Sequence, residues 1–303
     1  MPQKHLITVI GPTAIGKTEL AIRLAENFNT EILSCDSRQF YREMRIGTAV
    51  PSESELSRVK HHFIQNKSIH ESYSVGEFEK ESLQLLSEQF RTKNLFVMAG
   101  GSGLYVDAVV KGLDEFPKVD PAVREGLIEE LQNRGLTPLQ ERLKELDPVS
   151  YARMDIQNKQ RVIRALEICQ GTGKPFSSYW NKSGKKRPFK TLKIGLRADR
   201  ETVYERINQR VDIMMEMGLL EEARGLYDFR HLNALQTVGY KEIFEHLEGK
   251  TSLEDAISEI KKNTRRFAKR QGTWFKKDEE INWFDFDSDI SVIIEFIESQ
   301  IKN

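Results

Sequence analysis

At 303 residues the chain can bury a full hydrophobic core, as one large domain or as a core carrying an insertion. Its 46 basic and 46 acidic residues cancel in total, so any surface for a polyanion must come from local clustering. Two cysteines, Cys35 and Cys169, exclude a disulfide framework and a cysteine-based zinc site, and the lack of a long apolar run excludes a membrane-spanning helix.

The run Leu6, Ile7, Thr8, Val9 and Ile10 predicts a first strand over 5–10. It breaks into Gly11, Pro12, Thr13, Ala14, Ile15, Gly16, Lys17 and Thr18, after which apolar residues return at helical spacing in Leu20, Leu24 and Phe28. Strand, glycine-rich loop and helix together make a phosphate-binding P-loop. Its glycines let the backbone close around an anion and expose N–H groups, while the helix N-terminus adds partial positive charge. Lys17 is placed to reach a terminal phosphate, and the Thr18 hydroxyl to hold Mg²⁺. The chain therefore reads as a binder of a di- or triphosphate.

Strands over 31–35 and 94–99 alternate with helices over 17–28 and 75–92. The fold class this implies is α/β, a P-loop NTPase-like parallel sheet flanked by helices, with ligands beyond the carboxyl ends of the strands. From 116 to 187 the pattern turns all-helical, with helices expected over 121–134, 137–146, 148–154 and 158–171. Phe116, Pro117 and Lys118 on one flank and Ser183, Gly184, Lys185, Lys186, Arg187 and Pro188 on the other mark two hinges. The expected organisation is a catalytic core over 1–115 and 188–303 with a helical insertion domain over 116–187. A strand over 192–197 returns the chain to the sheet. Helices follow over 200–229, 238–248 and 252–271, then a strand over 281–286 and a last helix. With no signal peptide ahead of the first strand, a soluble, cytoplasmic and monomeric protein is expected.

Asp36, Ser37, Arg38 and Gln39 directly follow the second strand, where a carboxylate beside the P-loop mouth suits metal binding or proton abstraction. The third strand ends in Met98, Ala99, Gly100, Gly101, Ser102 and Gly103, with no acid of the kind a nucleotide hydrolase carries there. Its glycines suit close approach to a ligand instead. Eight basic residues and no acid lie in 260–277, and eight more with only Asp199 lie in 182–200. Both clusters fit a polyanionic partner.

The segments GPTAIGKT, ILSCDSRQFYREMRIGTAVP, YSVGEF, GGSGLY, NKQRVIRALEI, TGKPFS, INQRVD, TVGYKE and RRFAKRQGTWF occur in this order. In that combination the chain resembles the tRNA dimethylallyltransferases over residues 7–276, nearly its whole length. The resemblance implies transfer of a dimethylallyl group from dimethylallyl diphosphate to the exocyclic N6 amine of adenosine 37, immediately 3′ of the anticodon of a tRNA. It implies that residues 11–18 bind the diphosphate, with Mg²⁺ near Thr18, and that Lys17 and Arg210 reach the same phosphates. Asp36 is implied as the general base, with Ser102, which stands where threonine is usual, close to the reacting amine. The tRNA-contacting positions it implies are Asp36, Ser37, Arg38, Gln39, Ser102, Arg124, Gln160, Arg161, Val162, Ile163, Arg164, Gln236, Thr237, Val238, Gly239, Tyr240 and Lys241. The chain ends too soon after Phe284 for the zinc finger of eukaryotic relatives, so a bacterial-type enzyme is expected.

The residue types suit that chemistry. An adenine amine becomes acidic only as its new C–N bond forms, so a carboxylate of ordinary pKa, about 4, suffices as the base. Cations and loop N–H groups stabilise the departing diphosphate. A small-molecule or nucleoside kinase is the alternative that the P-loop and Asp36 allow, but it has no use for the basic cluster over 260–277. A non-catalytic tRNA-binding module would keep that cluster and dispense with Asp36.

Overall fold

The computed structural model describes residues 3–180 and 185–302. Lys182, Ser183 and Gly184, which belong to the second basic cluster and the second hinge, lie outside them. The chain divides into two compact units: Met1–Lys111 with Lys186–Asn303, and Gly112–Lys185.

Six parallel strands form the sheet of the first unit: β1 (His5–Ile10), β2 (Ile32–Ser34), β3 (His61–His62), β4 (Leu95–Gly100), β5 (Lys190–Arg197) and β6 (Ile281–Asp285), in the order β3-β2-β4-β1-β5-β6. All six residues of β1 are buried, as a central strand covered by helices on both faces requires. Side chains alternate across the sheet. Leu6, Ile10, Phe96 and Met98 join one core with Phe78, Leu86 and Val106. Ile7, Val9 and Val97 join the other with Leu20, Leu24, Ile207 and Ile293. Register aligns Ile10 with Gly100 and Gly195, and Ser34 with Ala99, so β1 and β4 end level, β2 stops one residue short of them and β5 runs two residues further.

Local rules place the helices that cover the sheet. Val75–Gln89 starts at a capping box, in which Ser74 accepts from the Glu77 N–H and the Glu77 carboxylate accepts from the Ser74 N–H; such a cap contributes about 1 kcal/mol. The helix expected over 200–229 is broken into Arg200–Glu216 and Leu219–Gly225, because Gly218 adopts φ 100° between them. A third core beyond the sheet gathers Tyr41, Met44, Leu219, Leu235, Tyr240 and Phe244. The second unit is built from the helices Pro121–Arg134, Thr137–Leu146, Pro148–Arg153 and Lys159–Thr172, closed on a core of Leu127, Leu139, Leu143, Val162, Ile163 and Leu166.

Candidate active site

A cavity of about 680 Å³ opens where β1, β2 and β4 end. It is lined by residues 13–18, by Ser34, Asp36, Gln39, Ala99 and Gly100, and by Arg206 and Arg210 from the helix Arg200–Glu216. The loop between β1 and the helix Lys17–Asn27 has little freedom. Gly11 sits at φ 146°, where a Cβ would stand 2.6 Å from the Leu196 carbonyl oxygen. Gly16 at φ 108° caps the helix. Ala14 holds a left-handed φ of 64°, and its carbonyl accepts a 2.7 Å bond from Arg206 Nε. Lys17 folds back across the loop, its Nζ donating to the Pro12 carbonyl at 2.7 Å.

Burial lowers Lys17 to about 8; the Asp36 charge opposes the shift and the Arg210 charge adds to it. Burial likewise raises the Asp36 carboxyl above the ordinary aspartate range, against the Arg38 N–H bond and the charges of Lys17, Arg38 and Arg210. The expectation of an ordinary carboxylate is thereby corrected: Asp36 is a stronger proton acceptor than an exposed aspartate. Its Oδ1 accepts from the Arg38 N–H at 3.1 Å, which fixes the carboxylate on its own turn. Ser102 stands beside that turn, its Oγ accepting from the Ser37 N–H at 3.1 Å and donating to Ser37 Oγ at 3.2 Å.

Other sequence-predicted residues brace this turn. Arg38 donates to the carbonyls of Asn233 and Ala234 at 3.1 and 3.0 Å, and Gln39 to those of Thr48 and Ala49 at 3.2 and 2.8 Å. Gln236 is exposed and bonded to the Arg230 carbonyl, Lys241 is exposed, and Thr237 and Val238 are half-buried. Gly239 is buried, and Tyr240 is fully so, its hydroxyl donating to Glu222 at 2.6 Å. Tyr240 therefore packs its side chain in the third core. Val162 and Ile163 are likewise buried, 0% and 1% exposed, in the core of the second unit. In that unit Arg124 bonds both Glu167 and Gln160, and Arg164 bonds Glu167. Arg161 and Gln160 are exposed.

The basic cluster on the helix Leu253–Phe275 divides by face. Arg265 bonds Asn208 and Lys261 pairs with Asp212, so both turn inward onto the neighbouring helix. Arg266, Lys269 and Arg270 are exposed and point to solvent. Phe275 is a core residue; Trp274 is partly exposed and donates to Asp107 at 2.9 Å.

Residues 39–278 match the family model described as IPP transferase. The chain belongs to that family. It is 58% identical to a tRNA dimethylallyltransferase of Christiangramia forsetii, across 98% of this chain and 99% of the relative, and 56% identical to one of Flavobacterium psychrophilum, across 99% of both. Among solved structures it is similar to a full-length tRNA isopentenylpyrophosphate transferase of Bacillus halodurans, with a TM-score of 0.74 at 38% identity over 99% of this chain and 97% of that one. It is also similar to a eukaryotic dimethylallyltransferase acting on tRNA, with a TM-score of 0.78 at 28% identity over 95% and 75% of the two chains.

Three residues that line or brace this cavity escape the sequence. Arg206 lies one turn before Arg210 on the same helix, a spacing that signals a shared face. Gln271 lies inside a family segment, but nothing in that segment points to its partners. Glu222 accepts from the N–H groups of Arg45, Ile46 and Gly47 and so pins a loop that lines the cavity; no sequence signal marks it.

Proposed function

We propose that the protein transfers a dimethylallyl group from dimethylallyl diphosphate to N6 of the adenosine 3′ of the anticodon in tRNA, releasing diphosphate. The observation that carries this reading is one cavity in which a P-loop with Lys17, Arg206 and Arg210 faces a half-buried carboxylate, Asp36, with Ala99 and Gly100 where a nucleotide hydrolase carries an acid. Cations and loop N–H groups on one wall suit a diphosphate leaving group. The carboxylate on the other suits the amine, whose proton it takes as the C–N bond forms. Ile46, Val50, Ile213 and Met214 add apolar lining for a five-carbon chain. The tRNA supplies its target base unstacked from its neighbours. The exposed Arg161, Arg266, Lys269 and Arg270, with the half-buried Arg164, are the cations placed to meet its backbone.

Among the described residues no group of three or more histidine, cysteine and acidic side chains is arranged to hold a metal. The Thr18 hydroxyl and Asp36 carboxylate do line the cavity, and such hard oxygen donors fit Mg²⁺ that is held chiefly by substrate phosphates. When bound, Mg²⁺ would offset charge on the departing diphosphate.

The test is transfer of labelled dimethylallyl from its diphosphate to unmodified tRNA. Label in tRNA supports the reading, and ATP-dependent phosphorylation of a small molecule without it supports a kinase.

The pH profile follows from the two perturbed groups. Lys17 loses its proton as pH rises through about 8, so kcat/KM for the donor falls on the alkaline side near that value. Asp36 must be ionised, and its raised pKa moves the acid limb above the ordinary aspartate value of about 4. Under saturating donor the alkaline limb shifts upward, because bound diphosphate favours the ammonium. A kcat/KM profile flat across about pH 7 to 9 contradicts the role given to Lys17.

Replacing Arg266 and Arg270 together by alanine weakens tRNA binding and reduces the slope of log affinity against log salt by about one to two. Filter binding across a salt series measures it. An unchanged slope places that helix face away from the nucleic acid.

A further inference from the structure

Gln271 is a polar side chain, 6% exposed, in the last turns of the helix Leu253–Phe275. Its Oε1 accepts from the Thr13 N–H at 2.8 Å, and its Nε2 donates to the Gly101 carbonyl at 2.9 Å. One amide therefore ties the P-loop to the turn that follows β4. Two residues upstream of Thr13 is Gly11, where the loop begins; one residue downstream of Gly101 is Ser102, which bonds the Asp36 turn through Ser37. The bridge fits glutamine alone among its near-isosteres. Glutamate lacks the donor for Gly101, methionine lacks both functions, and the Gly101 side has no slack, since a Cβ there would stand 2.2 Å from Gln271 Nε2.

We propose that Gln271 is a positioning residue that sets the distance between the bound diphosphate and the acceptor amine. The inference rests on the prenyl-transfer reading above. The P-loop fixes the carbon from which diphosphate departs, and the turns holding Ser102 and Asp36 fix the nitrogen that attacks it. These two walls belong to different strands, and Gln271 bonds both. Losing the bridge lets them drift without removing any group that binds either substrate. A misplacement of about 1 Å between reacting atoms costs up to about 100-fold in rate. Gln271 also lies one residue after Arg270, so the helix face offered to tRNA and the bridge between the walls share one rigid segment.

The test compares wild type with Gln271→Met and Gln271→Glu in the full chain. Calorimetry with inorganic pyrophosphate counts intact P-loops, and single-turnover transfer to saturating tRNA gives the rate per pyrophosphate-binding site. For Gln271→Met the expected result is one pyrophosphate site per chain, KM values for both substrates within about threefold of wild type, and a rate per site lower by about 10- to 100-fold. Gln271→Glu adds a signature that a purely structural role would not produce. When protonated, the glutamate hydroxyl can donate to Gly101 while its carbonyl accepts from Thr13. The rate per site of this variant relative to wild type therefore falls as pH rises through its pKa. A Gln271→Met rate per site within twofold of wild type, or a loss confined to donor KM, overturns the proposal. If the methionine variant binds no pyrophosphate, a pH-independent ratio for Gln271→Glu overturns it instead. Wild-type protein that binds pyrophosphate yet never labels tRNA overturns the prenyl-transfer reading, a different result from any of these.

Discussion

Asp36→Asn should lower the rate of prenyl transfer by about 10²- to 10⁴-fold, the usual contribution of a general base, while tRNA affinity stays within a few-fold. Asparagine keeps the shape of the side chain and can still accept the Arg38 N–H bond that fixes the turn, so the loss is of proton acceptance rather than of structure. The Arg38 and Gln39 bonds that brace the same turn run to backbone carbonyls of other segments and do not involve the carboxylate. A second consequence comes from the coupling of the pair. The Asp36 charge opposes the burial that lowers Lys17, so its removal should move the alkaline limb of any residual activity to lower pH. Single-turnover rates and tRNA binding on the same preparation check both points. Wild-type turnover in this variant would remove the base assignment.

Lys17→Met should reduce transfer by about 10²- to 10³-fold, the scale on which one preorganised group stabilising developing charge acts. Unlike Asp36, Lys17 also faces charge already present in the bound donor, so donor affinity should weaken along with the rate. Methionine preserves the length and apolar stem of the side chain but cannot donate to the Pro12 carbonyl, which leaves the loop less well held. Thermal unfolding separates that loss from the electrostatic one. A fold that melts normally with transfer intact contradicts the assignment, and so does a weakened donor with an unchanged maximal rate.

The parts of this protein legible in its sequence are those set by local rules. The P-loop could be read because Gly11 and Gly16 answer backbone demands within eight residues, and the second unit's helices because Pro121, Pro138, Pro148 and Asn158 mark where each begins. The strand His61–His62 escaped because two residues carry no periodicity, and the break at Gly218 because apolar spacing continues on both sides of it. The site was legible as a roster of residue types, not as an environment. Nothing near Asp36 in sequence reveals the burial that raises its pKa. The burial of Tyr240 is equally hidden, because its partners, Glu222 and the loop at Gly47, are brought together only by the fold. Gln271 reaches Thr13 across 258 residues, and such a contact is written only in three dimensions.

A crystal structure with tRNA and a non-reactive analogue of dimethylallyl diphosphate bound together reads the donor and acceptor walls at once. The predicted result is the diphosphate seated on the N–H groups of residues 14–18 beside Lys17 and Arg210, with the Asp36 carboxylate about 3 Å from N6 of the flipped adenine. An empty P-loop, or Asp36 directed away from that amine, contradicts the account.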